Sequence, residues 1–372
     1  MPDASRTRTA VRLGLLVVAL AMPTGGALWL TEREARQSEI VQLAGPASPA
    51  EPSAAQEQAV APQPTLSERL GDVLRPENAP TTEGDPPQVK DGVSRGRAAG
   101  LQHTPDDLRL KASAAIVIER RTGKVLMRKN ESAVLPIASL TKLMTALVLV
   151  QAKLPLDQVI TITESDVDQE RQSRSRLPVG TSLTRREALR LALMSSENRA
   201  AHALGRTFPG GVGAFVAAMN RKARALGLKN TTYADPTGLS SRNQSTARDQ
   251  AVLAAAAAKV PLIRKYSTTI EYQAMLGKRK VRYRNSDPLV KSPRWDIHLQ
   301  KTGYISEAGQ CLVVNATMDK RDIIFVLLDS TDKRSRIEDA ERIRRWATGE
   351  PDTLREKVRK LKRRATGGAA RH

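Results

Sequence analysis

Strand-like stretches in this chain fall at the two ends of one region, and helical stretches fall between them. "SAAIVIE", a turn at "RRTGK" and "VLMRKN" read as a hairpin rich in β-branched residues. Strand character returns only late, in "KRKVRYRN", "HLQKTGYI", "CLVVNATMD" and "IIFVLLDS", the last two joined across the polar turn "KRD". From about 155 to 265 helical patterns dominate. Thr184 and Glu187 form a capping box ahead of "ALRLALM", and further helices are expected at 197–206, 211–227 and 246–258. A last helix, from about 334 to 348, sets Ile337, Ala340, Ile343 and Ala347 on one face. First and last strands can share a sheet only if the chain folds back on itself. The expected class is therefore α+β: an antiparallel sheet built from both ends of the domain, with an inserted all-helical lobe.

The flanks have a different character. Arg6, Arg8 and Arg12 precede an apolar core from Leu13 to Met22, followed by small residues at Gly25, Gly26 and Ala27. Leu13 to Leu30, broken by Pro23 and the glycines, falls short of the roughly 20 residues that span a bilayer. Residues 1–30 thus read as an export signal, with a lasting membrane anchor the alternative, and either way the rest is expected outside the cytoplasm. Residues 31–105 hold ten of the 21 prolines and no Phe, Tyr or Trp. Such a segment buries too little apolar area to offset its ordering entropy, so it reads as a tether, with weak helix near 66–75. The folded domain is expected over 106–348 and a basic tail over 349–372. Within 351–372 there are eight Lys plus Arg against two acidic residues.

Sixty Lys plus Arg against 39 Asp plus Glu give a formal charge of +21, which favours anionic partners. Aromatics are only 3%, and no nucleic-acid motif occurs, so nucleic acid is not the expected partner. The tail reads either as a solvated end or as a contact to anionic membrane or wall polymer. Cys311 is the sole cysteine, so no intramolecular disulfide can form, and its apolar neighbours make it a packing residue. No metal-ligand spacing and no phosphate or dinucleotide fingerprint occurs; no metal and no cofactor are expected.

"LPIASLTKLMTALVLV", residues 135–150, puts Ser139 and Lys142 three residues apart at the entrance of an apolar helix. An isolated S-x-x-K is weak: Ser330–Lys333, "STDK", matches too, but in a turn after a strand. The first match differs in its setting. Leu140, Leu143, Met144, Leu147 and Val150 leave little exposed face, so Lys142 is expected to be partly desolvated, which favours the neutral amine. A neutral amine beside a hydroxyl at a helix N-terminus is the pattern of an activated serine nucleophile. Acyl transfer also needs a proton route to the leaving amine, an anchor for substrate and oxyanion donors. "LMSSENRAA" supplies Ser196 and Asn198 between two helices; "LQKTGYI" supplies Lys301, Thr302 and Gly303 on a strand.

The ordered triple S-x-x-K, S-x-N, K-T-G is that of penicillin-binding proteins and class A β-lactamases. The chain resembles the low-molecular-mass penicillin-binding proteins of the D-alanyl-D-alanine carboxypeptidase and endopeptidase family. "PIASLTKLMTALV", "YADPTGLSSRNQSTARDQAVL" and "LQKTGYISEAGQCLVV" are most similar to the penicillin-binding protein 7 type endopeptidases. The resemblance implies the DD-peptidase/β-lactamase-like fold, peptidoglycan stem peptides as substrate and β-lactams as covalent inhibitors. It implies Ser139 as nucleophile, Lys142 as its base, Ser196 as proton relay and Asn198 as the group holding the substrate amide and Lys142. It also implies Lys301 as a source of positive potential, Thr302 as carboxylate anchor, Gly303 as the place where the substrate backbone approaches the strand closely, and the N–H groups of Ser139 and Tyr304 as the oxyanion hole. Two neighbouring cations, Lys142 and Lys301, would each disfavour the other's charge. "RNSDPLV" departs from the family's usual wording, leaving Ser286 and Asp287 without an implied role.

Alternatives stay open. A carboxypeptidase shares every motif. A β-lactamase needs a carboxylate to activate water for deacylation, and between Asn198 and Lys301 the sole glutamate is Glu271. A binding protein could hold peptidoglycan uncut. A Ser-His-Asp hydrolase would draw on His202 or His298, but no G-x-S-x-G elbow occurs.

Overall fold

In the computed structural model of the protein, residues 92–169 and 171–350 are described. The export signal, the tether as far as 91 with its weak helix, and the tail from 351 lie outside the described residues. Ordered structure begins ahead of residue 106, where the sequence ends the tether. A one-turn helix α1 (Arg95–Ala98) docks because Gly96 lacks a Cβ, which would stand 2.4 Å from Asp329 Oδ2.

Two strands follow, β1 (Ala114–Glu119) and β2 (Val125–Lys129), as the β-branched hairpin pattern requires. The short β3 (Leu135–Pro136) leads into α2 (Lys142–Gln151). Next come β4 (Val159–Thr161), β5 (Ser182–Thr184), α3 (Arg185–Met194), α4 (Asn198–Arg206) and α5 (Gly211–Ala225). The capping box is made: Glu187 N donates to Thr184 Oγ1 at 3.2 Å, and Thr184 N donates to the Glu187 carboxylate at 2.9 Å. After β6 (Gln244–Ser245) come α6 (Ala247–Ala258) and α7 (Pro261–Ser267). Besides α1 and the short strands β3 to β6, the sequence reading lacks α7 and β7 (Glu271–Leu276), which pairs with β8 (Arg279–Arg284). Each is short and of mixed polarity, so no period stands out. The last described elements are β9 (Asp296–Ile305), β10 (Gly309–Met318), β11 (Arg321–Ser330) and α8 (Lys333–Thr348).

The main sheet is antiparallel in the order β2-β1-β11-β10-β9. The last strand lies beside the first, with Val117 opposite Phe325 and Ala114 opposite Leu328, so the sheet is built from both ends of the domain. Alternation along the strands makes two cores. Ile116, Ile118, Val313, Val326 and Leu328 face the helical lobe, where the alanines of α6 let that helix lie close. Val117, Leu312, Val314, Phe325 and Leu327 face α8 through Ala340, Ile343 and Ala347, the stripe read from the sequence. Cys311 is buried, and burial pushes its thiol up to about 12, which suits packing rather than chemistry. β9, which carries K-T-G, is left at the sheet edge.

Phe325 is buried and packs on Trp295 with ring centroids 6.1 Å apart. Phe325→Ala is expected to cost about 3–5 kcal/mol of unfolding free energy in a urea titration, with little change in slope.

Candidate active site

The helix expected from Ser139 begins three residues later. Ala138–Thr141 form a 3-10 turn, and Ser139 sits inside it rather than at the N-cap of α2. Ala138 has φ +47°, a left-handed conformation that a non-glycine residue holds at a cost of about 1–3 kcal/mol. The surroundings enforce it. Asn243 O accepts from Ile137 N at 3.1 Å, and Asn243 Nδ2 donates to Thr141 Oγ1 at 3.0 Å. Gly238, at φ +84°, lies so close that a Cβ there would stand 2.0 Å from Ala138 O. On the other side a Cβ on Gly303 would lie 3.0 Å from Ile137 O and 3.1 Å from Ser139 N. The turn is wedged between a loop and the sheet edge, and two glycines make room for it. The close neighbour of Gly303 is thus this turn, whereas the approach expected there was that of the substrate backbone.

One residue into the helix, Lys142 is 1% exposed. Its Nζ lies 2.8 Å from Ser139 Oγ, 2.7 Å from Asn198 Oδ1 and 2.7 Å from the Thr237 carbonyl. Burial lowers its pKa to about 7, against the opposing pull of Asp235 and Glu197. A neutral amine has two N–H bonds and one lone pair. Asn198 Oδ1 and Thr237 O can only accept, so they take both N–H groups. The lone pair is left facing Ser139 Oγ, whose proton it can receive.

On the opposite wall Ser196, at φ +61°, lies between α3 and α4, and Asn198 opens α4. Lys301 Nζ donates to Ser196 Oγ at 2.9 Å and to Thr302 O at 2.7 Å. Lys301 is fully buried and held well below the usual lysine range, by burial first and then by the charges of Lys142 and Arg336, with Asp287 opposing. Burial is the largest cause at both lysines, as the apolar run around Lys142 implies, and the two cations lie close enough to act on each other. Thr302 Oγ1 lies 2.7 Å from Ser286 Oγ, and the Tyr304 side chain is 59% exposed on the edge strand.

Several contributors escaped the sequence reading. Thr237 supplies an acceptor, and Asp235 folds its loop by accepting from the N–H groups of Thr237, Gly238 and Ser240 at 2.5, 2.8 and 3.0 Å. The D-P-T-G turn was the available signal. Ser173, which has no sequence signature, accepts from Asn198 Nδ2 at 3.0 Å, and Ser286, left without an implied role in "RNSDPLV", meets Thr302. Glu197, inside S-x-N, is buried and accepts from Arg176 N at 2.9 Å, whereas Glu271 lies on the β7–β8 hairpin against Arg282. His202 is held by Asp166 at 2.7 Å and His298 by Thr317 at 2.7 Å, so each has another partner than Ser139. Among the described residues no His, Cys, Asp and Glu cluster could hold a metal ion.

Gly238→Ala would drive a methyl into Ala138 O and displace the Ser139 turn. The rate of acylation by a β-lactam, followed by stopped flow, is expected to fall by about 10²-fold, because a displacement of the order of 1 Å costs that much.

The comparisons with known proteins agree with this geometry. Residues 101–332 match the family model described as D-alanyl-D-alanine carboxypeptidase, peptidase S11. The chain is 46% identical over 250 residues to a D-alanyl-D-alanine endopeptidase of Pseudomonas aeruginosa, covering 67% of this chain and 80% of the relative. It is 38% identical over 262 residues to a D-alanyl-D-alanine endopeptidase of Escherichia coli, covering 70% and 84%. Among solved structures, the Streptomyces K15 DD-transpeptidase superposes with a TM-score of 0.61 at 30% identity, covering 64% of this chain and 98% of that one. A buried Ser-Lys pair, an S-x-N turn and a K-T-G edge strand in one cleft, with these relatives, make the chain a serine DD-peptidase belonging to the D-alanyl-D-alanine carboxypeptidase family.

Proposed function

We propose that this DD-peptidase is an endopeptidase, cutting the D-alanyl cross-links between peptidoglycan stem peptides outside the cytoplasm. The observation that carries the chemistry is the buried Lys142 Nζ 2.8 Å from Ser139 Oγ, with Asn198 Oδ1 and Thr237 O placed to accept its N–H groups. Ser139 attacks the D-alanyl carbonyl while Lys142 takes its proton. The oxyanion is held by the N–H groups of Ser139 and Tyr304. Ser196 relays the proton taken up by Lys142 to the departing amine, giving its own and accepting that of Lys142, and the bond from Lys301 supports this role by fixing the hydroxyl in a strained turn. Asn198 holds Lys142 and the substrate amide, Thr302 anchors the carboxylate, and Gly303 keeps β9 close to the nucleophile. Water then hydrolyses the acyl-enzyme and frees Ser139.

Cleavage of cross-links is favoured over removal of a terminal D-alanine by the two relatives of 46% and 38% identity, both named endopeptidases. Carboxypeptidase action is the second reading, since relatives at 33% and 30% identity carry that name. Residues 1–30 fit export to the periplasm, and residues 351–372 fit a contact with anionic membrane or wall polymer.

A fluorescent penicillin is expected to label the wild type covalently and to leave Ser139→Ala unlabelled. Cross-linked dimeric muropeptides should be converted to monomers, and a chromogenic cephalosporin should be turned over slowly. Labelling that survives Ser139→Ala contradicts the assigned nucleophile. Pentapeptide trimming with dimers left intact gives the carboxypeptidase.

A further inference from the structure

The β7–β8 hairpin is a second surface of defined chemistry, contiguous with the cleft. Cross-strand partners share a face. Tyr272 opposite Tyr283 and Ala274 opposite Val281 form the inward face, on which Tyr283 and Ala274 are buried. The outward face pairs Glu271 with Arg284, Gln273 with Arg282, and Met275 with Lys280, and Lys278 and Arg279 lie at the turn. The Arg282 and Arg284 side chains are 55% and 61% exposed.

Charge on this element is one-sided. From 264 to 294 the chain carries nine Lys plus Arg and two acidic residues; one of the two, Asp287, is buried, and the other, Glu271, is already bonded to Arg282. Lys and Arg on an exposed strand can serve merely to block edge-to-edge pairing. A face kept for solubility alone would mix the signs. This one gathers cations beside the catalytic wall. Arg176 donates to Arg282 O at 2.8 Å, stacks its guanidinium 4.2 Å from the Tyr283 ring centroid, and bonds Glu197 through its N–H, one residue from Asn198. At the root, Ser286 follows Asn285 and meets Thr302 of K-T-G. Through Arg176 on the inward side and Ser286 at the root, the hairpin is thus tied to the residues beside S-x-N and K-T-G.

We propose that the outward face of the β7–β8 hairpin docks the carboxylate-bearing stem peptides of the peptidoglycan strand whose cross-link lies in the cleft. The inference rests on the function proposed above. Exposed cations attract and orient an anionic polymer over a Debye length and are weakened by salt.

The test uses full-length Ser139→Ala, which cannot cut, and the same chain carrying Lys280→Gln, Arg282→Gln and Arg284→Gln. Cosedimentation with purified peptidoglycan sacculi at low salt should show about tenfold weaker binding for the triple variant, and wild-type binding should fall as salt rises. Penicillin labelling of the triple variant with Ser139 intact should match the wild type, showing that fold and cleft are preserved. A second variant, Lys278→Gln with Arg279→Gln at the turn, should lose part of the sacculus binding. Equal binding by all variants, with labelling intact, overturns the docking surface. So does a loss confined to anionic phospholipid vesicles, which would assign the face to lipid. A wild type that penicillin fails to label overturns the enzyme reading instead.

Discussion

A lysine amine out of water is the constraint around which the cleft is organised. Burying a charged ammonium without compensation is costly, and proteins commonly resolve this by letting the group lose its proton. At Lys142 the resolution is useful only because the two N–H groups of the neutral amine have fixed acceptors, Asn198 Oδ1 and Thr237 O. Without them the lone pair would have no preferred direction. Nearby, Asp235 and Glu197 favour the charged form, so the final state is poised between the two. An amine that gains and loses a proton near neutrality can act first as base and later as acid.

Four pieces of chain have to meet for that to happen. The antiparallel sheet brings β9 to its edge, α2 runs beneath the sheet's lobe-facing core, α4 begins at Asn198, and the Asp235 turn closes from the side. The approaches are so close that a side chain is excluded at Gly238, and Gly303 is close to that limit. Positive φ at Ala138 and Ser196 adds strain at the two hydroxyl-bearing turns. The two cores on either face of the sheet hold these turns where isolated peptides would not stay.

Sequence reading reached those parts of the site that are written locally. S-x-x-K in an apolar run, S-x-N between helices and K-T-G on a strand each combine a chemical group with a recognisable element, so Ser139, Lys142, Ser196, Asn198, Lys301 and Thr302 were all found in one cleft. The rejected second match behaves differently: Ser330 is buried without a partner at the end of β11, and Asp332 caps α8. What was not legible depends on approach between distant segments. Thr237 contributes through its backbone, which no side-chain motif reports. Ser173 and Ser286 matter because of which neighbours they meet. The lowering of Lys142 by burial could be read from its apolar run, whereas the opposing charges of Asp235 and Glu197 could not, because only the fold brings them near. The fold class followed from the order of patterns, whereas α7 and β7 were too short and mixed in polarity to register.

The account depends above all on the protonation of Lys142. Its direct measurement is a titration by NMR of the lysine side-chain carbons, with Lys142 assigned by comparison with Lys142→Arg. The expected result is that the Lys142 signal titrates at about 7, well separated from exposed lysines near their ordinary value of about 10.4, with buried Lys301 also displaced downward. A Lys142 that stays charged until the pH at which exposed lysines titrate would contradict the account, because the group facing Ser139 would then be a donor with no lone pair to offer.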